Sequence, residues 1–357
     1  MLILTPSLNT GDASAHLASL ISADIPVNRF HSAVRHLQRR FDAYAARCTT
    51  PFIAPGLIVT PEIRAQSELY LPIAEIKRAY NCLYSTALGY PPILSSTPFH
   101  TALSWADLFV KLPHNLQVSP NPSLLLRQLL ADHELLTDFL CFSFLPRRFY
   151  GGLNRYPEQQ TYIREWLAGR KYTTISCLDA ACGTGEQTYG LALFFLDQGV
   201  SAEEIHVAGW TVEPLEIWAA TYLRFPHDQT YEIKLRNAIS VLFQYGYQRR
   251  ISFCCHDILA PPPLPHQNMC FDLILCNGLL GGPIIHDAAE INRVVANLAQ
   301  LLSPGGILLA ADSFHDGWKR RCPQKALRAS FEAHGLICTA GEEGLRGSKP
   351  DEQAAPG

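Results

Sequence analysis

The spacing of apolar residues divides the chain into two regimes. Up to about residue 150 they recur every three or four positions, the period of a helix with one buried face. Val27, Phe30, Val34, Leu37, Phe41, Tyr44 and Ala45 form such a stripe over Val27–Cys48. Thr60-Pro61-Glu62 is a helix start, with a capping hydroxyl and proline at the first position. The helix it opens is expected to run to Leu88, ahead of Gly89 and Pro91-Pro92. Ser123 is expected to cap another helix through Phe142, and no strand pattern precedes Thr173. Residues 1–150 therefore read as an all-helical domain, assigned to the substrate or partner side.

From Ile175 the pattern changes. Short apolar runs alternate with helical stretches, the mark of a mostly parallel sheet with helices on both faces. The candidate strands are Ile175–Ala180, Ile205–Val212, Ile251–His256, Phe271–Cys276 and Ile307–Asp312. Helical stretches lie at Gln187–Gln198, Pro214–Phe225, Tyr231–Tyr245 and Asp287–Leu302, and Ser303-Pro304-Gly305-Gly306 reads as the turn into the fifth strand. A last helix (Pro323–His334) and strand (Leu336–Thr339) follow. The expected fold class is α/β, a Rossmann-like sheet over residues 151–343 behind the helical domain. Residues 344–357, polar with Pro and Gly, read as a flexible tail.

Composition narrows the function classes. A net charge of −3 over 357 residues provides no global attraction to nucleic acid or an anionic membrane. No apolar run reaches the roughly 20 residues that span a bilayer. Met1–Asp12 has no basic region of the secretory kind, so a cytoplasmic protein is expected. The eleven cysteines show no C-x-x-C spacing, so no metal site is expected and the thiols read as reduced and structural. Arg29, Arg35, His36, Arg39 and Arg40 share one face of the first long helix. That face is either solvated or a dock for an acidic partner.

Candidate chemistry gathers where strands end. Ile175–Asp179 is followed by a turn of small residues, Ala180, Ala181, Cys182, Gly183, Thr184 and Gly185, and then by a helix. Strand, turn and helix form a nucleotide-binding corner. A dinucleotide turn needs G-x-G-x-x-G, and here Thr188 stands at the third glycine; a phosphate-cradling turn needs G-K-[ST], and no lysine is present. A carboxylate at Asp179 would repel a pyrophosphate and suit an ammonium or sulfonium. Glu213, 34 positions later at the end of the second strand, is placed to accept both ribose hydroxyls. Asp257, after the third strand, can take an adenine amino group, with Ile258 against the ring. Asn277, after the fourth, is expected to face the reacting end.

Residues 150–315 resemble a class I S-adenosylmethionine (SAM) methyltransferase, and within that class the chemotaxis-receptor glutamate methyltransferases, the CheR family. Ala181-Cys182-Gly183-Thr184-Gly185-Glu186-Gln187-Thr188-Tyr189 is similar to that family's A-C-S-T-G-E-E-P-Y. Phe271-Asp272-Leu273-Ile274-Leu275-Cys276-Asn277 is similar to F-D-L-I-x-C-R-N, and Leu302-Ser303-Pro304-Gly305-Gly306 to L-x-P-G-G. Gly152-Leu153-Asn154-Arg155-Tyr156-Pro157 is similar to the T-x-F-F-R-x-P segment. The resemblance implies SAM as cofactor, S-adenosyl-L-homocysteine as product, and a pocket lined by Arg155, Glu186, Glu213, Asp257 and Asn277. The turn residues Asp179, Ala181, Gly183 and Gly185, with Ile258, complete the expected cofactor contacts. Arg155 and Asn277 are the expected catalytic pair.

The departures fall on the acceptor side. Where the family has a tyrosine past the asparagine, this chain has Gly278-Leu279-Leu280-Gly281-Gly282. Gln229–Arg250 reads as one helix, leaving little room for the family's inserted β-subdomain. The acceptor is therefore open between a protein carboxylate and a small molecule. A carboxylate needs no base; an amine or hydroxyl would need one, with His256, His286 and His315 as candidates. Trp210, Trp218 and Tyr222 read as packing residues. The alternative to an enzyme is a non-catalytic SAM-binding sensor or scaffold. A nucleic-acid methyltransferase fits less well, because Asn277-Gly278-Leu279-Leu280 lacks the proline and aromatic ring that clamp a flipped base.

Overall fold

The structure, a computed structural model, describes residues 3–48, 53–92, 97–145, 152–169, 173–261, 270–282, 284–311 and 322–351. The chain divides into two compact units, one of residues 1–13, 149–224 and 233–357, the other of residues 14–148 and 225–232.

Among the described residues, eight α-helices come first: α1 (Thr10–Leu20), α2 (His31–Arg47), α3 (Pro61–Tyr70), α4 (Ile73–Leu88), α5 (Pro98–Thr101), α6 (Trp105–Phe109), α7 (Pro122–Ala131) and α8 (His133–Phe144). The helix expected from Pro61 to Leu88 is two helices. Pro72 has no amide proton to continue the ladder, and Leu71 leaves helical geometry ahead of it. The Glu68 carboxylate then accepts the Ile73 amide at 3.0 Å and restarts the turn.

Asn121, not Ser123, caps α7, its Oδ1 accepting the Ser123 and Leu124 amides with Pro122 at the first helical position. The Ser123 hydroxyl donates instead to Val34 O at 2.8 Å. The helix expected through Phe142 breaks at Asp132, which caps α8. The basic face of α2 finds an acid within its own unit. Glu75 of α4 pairs with His36 at 2.7 Å and with Arg40 at 2.9 Å, while Arg29, Arg35 and Arg39 are exposed. This unit's core is aromatic, with Tyr80 set among Phe99, Trp105 and Phe139, and its hydroxyl donates to Pro122 O.

The other unit is built on one sheet of eight strands: β1 (Ile3–Leu4), β2 (Ile175–Asp179), β3 (Ile205–Thr211), β4 (Ile251–Cys255), β5 (Phe271–Leu275), β6 (Leu302–Ala311), β7 (Ile337–Gly341) and β8 (Gly344–Ser348). Their order is β1-β4-β3-β2-β5-β6-β8-β7. Strands β4, β3, β2, β5 and β6 are parallel to one another; β1 is antiparallel to β4, and β8 to both β6 and β7. The helices are α9 (Pro157–Ala168), α10 (Glu186–Asp197), α11 (Pro214–Tyr222), α12 (Gln229–Gln244), α13 (Ala288–Leu301) and α14 (Gln324–Ala333). The expected α/β sheet is thus observed. One face packs Leu178, Ile274 and Leu308 of the sheet with Val294 and Leu298 of α13 and Phe331 of α14.

Three details differ from expectation. Strand β1 precedes Thr173; two residues are too few to show an alternation. The turn expected at Ser303–Gly306 lies inside β6, as a register shift against β5 between Phe271 and Leu273. Residues 344–348, expected to open a flexible tail, form β8 in the sheet; residues 352–357 lie outside the described part. Its glycines mark close approach: a Cβ at Gly344 would sit 2.0 Å from Ala310 O, and one at Gly347 2.7 Å from the Phe331 ring.

Trp210, Trp218 and Tyr222 are buried as packing residues. All eleven cysteines are free, and burial raises the thiols of Cys177 and Cys182 far above their usual range. Among the described residues no helix is long and apolar enough to cross a membrane, and no group of His, Cys, Asp and Glu is set to hold a metal ion.

Candidate functional site

Chain order reverses at β2. From it the chain runs outward through β3 and β4, then returns to β5 on the other side and continues to β6. Such a reversal opens a crevice beyond the carboxyl ends of the strands. The turn after β2 lies there, held by the Cys182 amide on Trp210 O and the Gly185 amide on Cys182 O, each at 2.9 Å. Gly183 and Gly185 have φ of 53° and 89°, the left-handed region that glycine adopts without strain. A Cβ at Gly185 would also lie 3.0 Å from Ala220 and 3.1 Å from the Phe253 ring. At Gly183 the neighbour within reach among the described residues would be Glu216 Oε2, at 4.0 Å.

Asp179 is fully buried at the end of β2. Thr188 donates to its Oδ2 at 2.8 Å, and its Oδ1 has no hydrogen-bond donor. Burial pushes this carboxyl up to about 7, and Glu186 adds to the rise; the Thr188 hydroxyl and the Ala181 amide act the other way. Thr188 has room to reach Asp179 because the facing residue of β3 is Gly209: a Cβ there would sit 3.0 Å from Thr188 Oγ1 and 2.8 Å from Phe253. The residue that breaks the dinucleotide pattern is thus the partner of the strand-end acid.

Glu213 follows β3 as the N-cap of α11, its Oε1 accepting the Leu215 amide at 3.3 Å, and it is buried. Three residues on, Glu216 is also buried and accepts the Thr211 hydroxyl at 3.0 Å. Burial lifts the Glu216 carboxyl to about 8, with Glu213 and Glu186 adding to it and Thr211 opposing. Glu186 opens α10 and accepts the Thr184 hydroxyl at 2.8 Å. Asp179, Glu216 and Glu186 all act on the Cys182 thiol, so the turn is surrounded by carboxylates.

Other expected site residues lie around the further strand ends and ahead of α9. Asp257 stands beyond β4, exposed, its Oδ1 accepting the Leu259 amide at 2.9 Å. Ile258 is 5% exposed and packs in the sheet core with Ala180, Trp210 and Leu280, rather than offering a face to a ring. Asn277 is buried and engaged. Its Oδ1 accepts from Gln159 Nε2 at 2.9 Å and from the Ala311 amide at 2.8 Å, and its Nδ2 donates to Gln159 Oε1 at 2.8 Å. It ties α9 to β6. Arg155 lies half-buried over the Tyr156 ring, 5.3 Å from its centroid. The segment before it is pressed onto α10, where a Cβ at Gly190 would meet Leu153 O at 1.9 Å.

His256 meets the Trp210 ring edge-on at 4.8 Å, His286 is exposed beside the α13 cap, and His315 lies outside the described residues. Sequence reasoning missed Glu216 and Gln159. Glu213-Pro214-Leu215-Glu216 has the spacing of a capping box, which hides Glu216 as a cap. Gln159 finds its partner 118 residues away, and nothing local signals it.

No protein-family model matches the chain, and no curated protein does. Solved structures do match. The N-methyltransferase NodS from Bradyrhizobium japonicum, in complex with S-adenosyl-L-homocysteine, is 18% identical over 55% of this chain and 87% of its own, with a TM-score of 0.35. The sugar N-methyltransferase KedS8 from Streptoalloteichus is 17% identical over 57% of this chain and 90% of its own, with a TM-score of 0.37. A candidate exported protein from Bordetella parapertussis is 14% identical over 96% of this chain and all of its own, with a TM-score of 0.37. Likeness at this level adds no argument about activity to the strand order described above.

Proposed function

We propose that the chain is a SAM-dependent methyltransferase, related on its cofactor side to the CheR-type enzymes, with a protein carboxylate or a small molecule as acceptor. The observation that carries this reading is the set of acids around the β2 turn. Asp179, Glu186, Glu213 and Glu216 crowd a glycine turn at the sheet's reversal, a charge pattern that repels phosphate and suits a cationic nucleoside. The residues fit such a ligand: Asp179 Oδ1 is buried without a donor, and the space before Gly183 is open toward Glu216. Glu213 would hold the ribose hydroxyls, and Asp257 the adenine amino group. Arg155 would bind the methionine carboxylate. SAM supplies a methyl group on a sulfonium, open to in-line displacement. The chain's own part is to align the partners and exclude water, and alignment alone is worth about 7–11 kcal/mol. An acceptor already ionised at neutral pH would need no general base.

The alternative, a SAM-binding module without turnover, is supported by one specific arrangement. Asn277 is committed to Gln159 and the Ala311 amide, and Gly281-Gly282 brings no aromatic ring to the following loop. Calorimetric titration with SAM tests the shared part of both readings. Glu213→Ala is expected to weaken binding by roughly tenfold or more, since hydrogen bonds to a charged group contribute about 1.5–3 kcal/mol. Unchanged affinity would remove the ribose assignment. Methyl transfer to an acceptor pool then separates enzyme from module.

A further inference from the structure

Two of the acids around the turn have surroundings that a ribose-binding role does not explain. Asp179 is fully buried at the end of β2, with the Thr188 hydroxyl donating to it and the Ala181 amide beside it. Glu216 is 8% exposed on α11, and only Thr211 donates to it. Glu186 bears on both from α10, and Glu213 bears on Glu216 from the β3–α11 turn. The thiols of Cys182, in the turn, and Cys276, after β5, both lie within the field of Asp179. No cationic side chain acts on either acid among the described residues. A cation before Gly183 would complete this arrangement, because that position is open and Glu216 Oε2 borders it.

We propose that Asp179 and Glu216 make the site selective for ligand charge, releasing protons to solvent as the sulfonium enters and taking them back when the neutral thioether remains. The inference rests on the reading above, that the ligand is SAM. Before binding, burial and like charge raise both carboxyls, to about 7 for Asp179 and about 8 for Glu216, so both hold protons for most of the time at pH 6.5. A cation nearby favours the ionised forms, so proton loss and cation binding strengthen each other. Methyl transfer removes the positive charge from sulfur. The acids then take protons from solvent, and the product loses the attraction that held the donor. Asp179 was read from sequence as a cation partner; the second group, Glu216, and the proton exchange come from the structure alone.

The test is calorimetry on the full chain at pH 6.5, titrating SAM and, separately, S-adenosylhomocysteine in buffers of differing ionisation enthalpy. SAM is expected to release about one proton more than S-adenosylhomocysteine, and its affinity to rise up to about tenfold per pH unit per proton released between pH 6 and 7. The homocysteine product should show a flatter profile. Glu216→Gln, confirmed folded by its thermal transition, should lower the proton count for SAM. SAM binding with no buffer dependence and a flat profile from pH 6 to 8 would overturn the proposal and leave the cofactor reading standing. Equal proton counts for the two ligands would overturn it as well. Failure of both ligands to bind at any pH would overturn the cofactor reading, and this inference with it.

Discussion

Thr188 shows how one position redirects a common turn. Where a dinucleotide site would carry a third glycine, its hydroxyl holds Asp179 Oδ2 at 2.8 Å. Thr188→Ala should leave that acid without a hydrogen-bonding hydroxyl, raise its pKa further and weaken SAM binding at pH 7 several-fold, read by titration. Gly209→Ala acts on the same spot from the opposite strand. Its methyl would sit 2.8 Å from the Phe253 ring, and overpacking of this kind costs about 1–3 kcal/mol, to be seen as a lower unfolding temperature. Asp179 and Glu213 stand out in the sequence because each follows an apolar run at a strand end, although such a place also suits a cap, as Glu213 is for α11. The role of Asn277 was not legible. Its partners, Gln159 and Ala311, come from distant elements, and a lone asparagine at a strand end looks the same whether it meets a ligand or a neighbour.

At the scale of elements, the parallel strands were legible to within a few residues because each is a continuous apolar run buried on both faces. The errors lie at punctuation. Pro72 cut one expected helix in two, and Asp132 cut another, although both interruptions sit inside strong helical periodicity. The last strand was missed for a different reason. Gly344, Gly347 and the polar residues around them carry the composition of a loose tail, yet β8 lies between β6 and β7 and pairs with both. Removing the chain from Gly344 onward should therefore strip a strand from within the sheet. The truncated protein is expected to be insoluble or to lose its cooperative thermal transition, whereas removal from residue 352 onward should leave the transition in place.

At the scale of the whole molecule, the buried acids tie stability to pH. Asp179 and Glu216 have folded-state pKa values raised above those of the unfolded chain, so the folded form holds more protons between roughly pH 4 and 8. The stability they contribute is present below pH 4 and is lost as pH rises through about 7 and 8. Without ligand, the unfolding temperature should therefore fall between pH 6 and 8.5, and Glu216→Gln should flatten that fall; saturating SAM should abolish it, by scanning calorimetry at each pH. One compact unit holds the sheet, and it takes in the start of the chain as well as the residues from 149 onward. Residues 3 and 4 belong to the sheet, where Ile3 pairs with Cys254 and Leu4 with Phe253. That pairing has a consequence in time. A ribosome adding about 5–20 residues per second needs roughly 10–50 s to pass from one partner to the other. Strand β1 must wait that long beside a growing nascent chain before its edge of the sheet exists, so a segment made well before its partner is among the last to find its place.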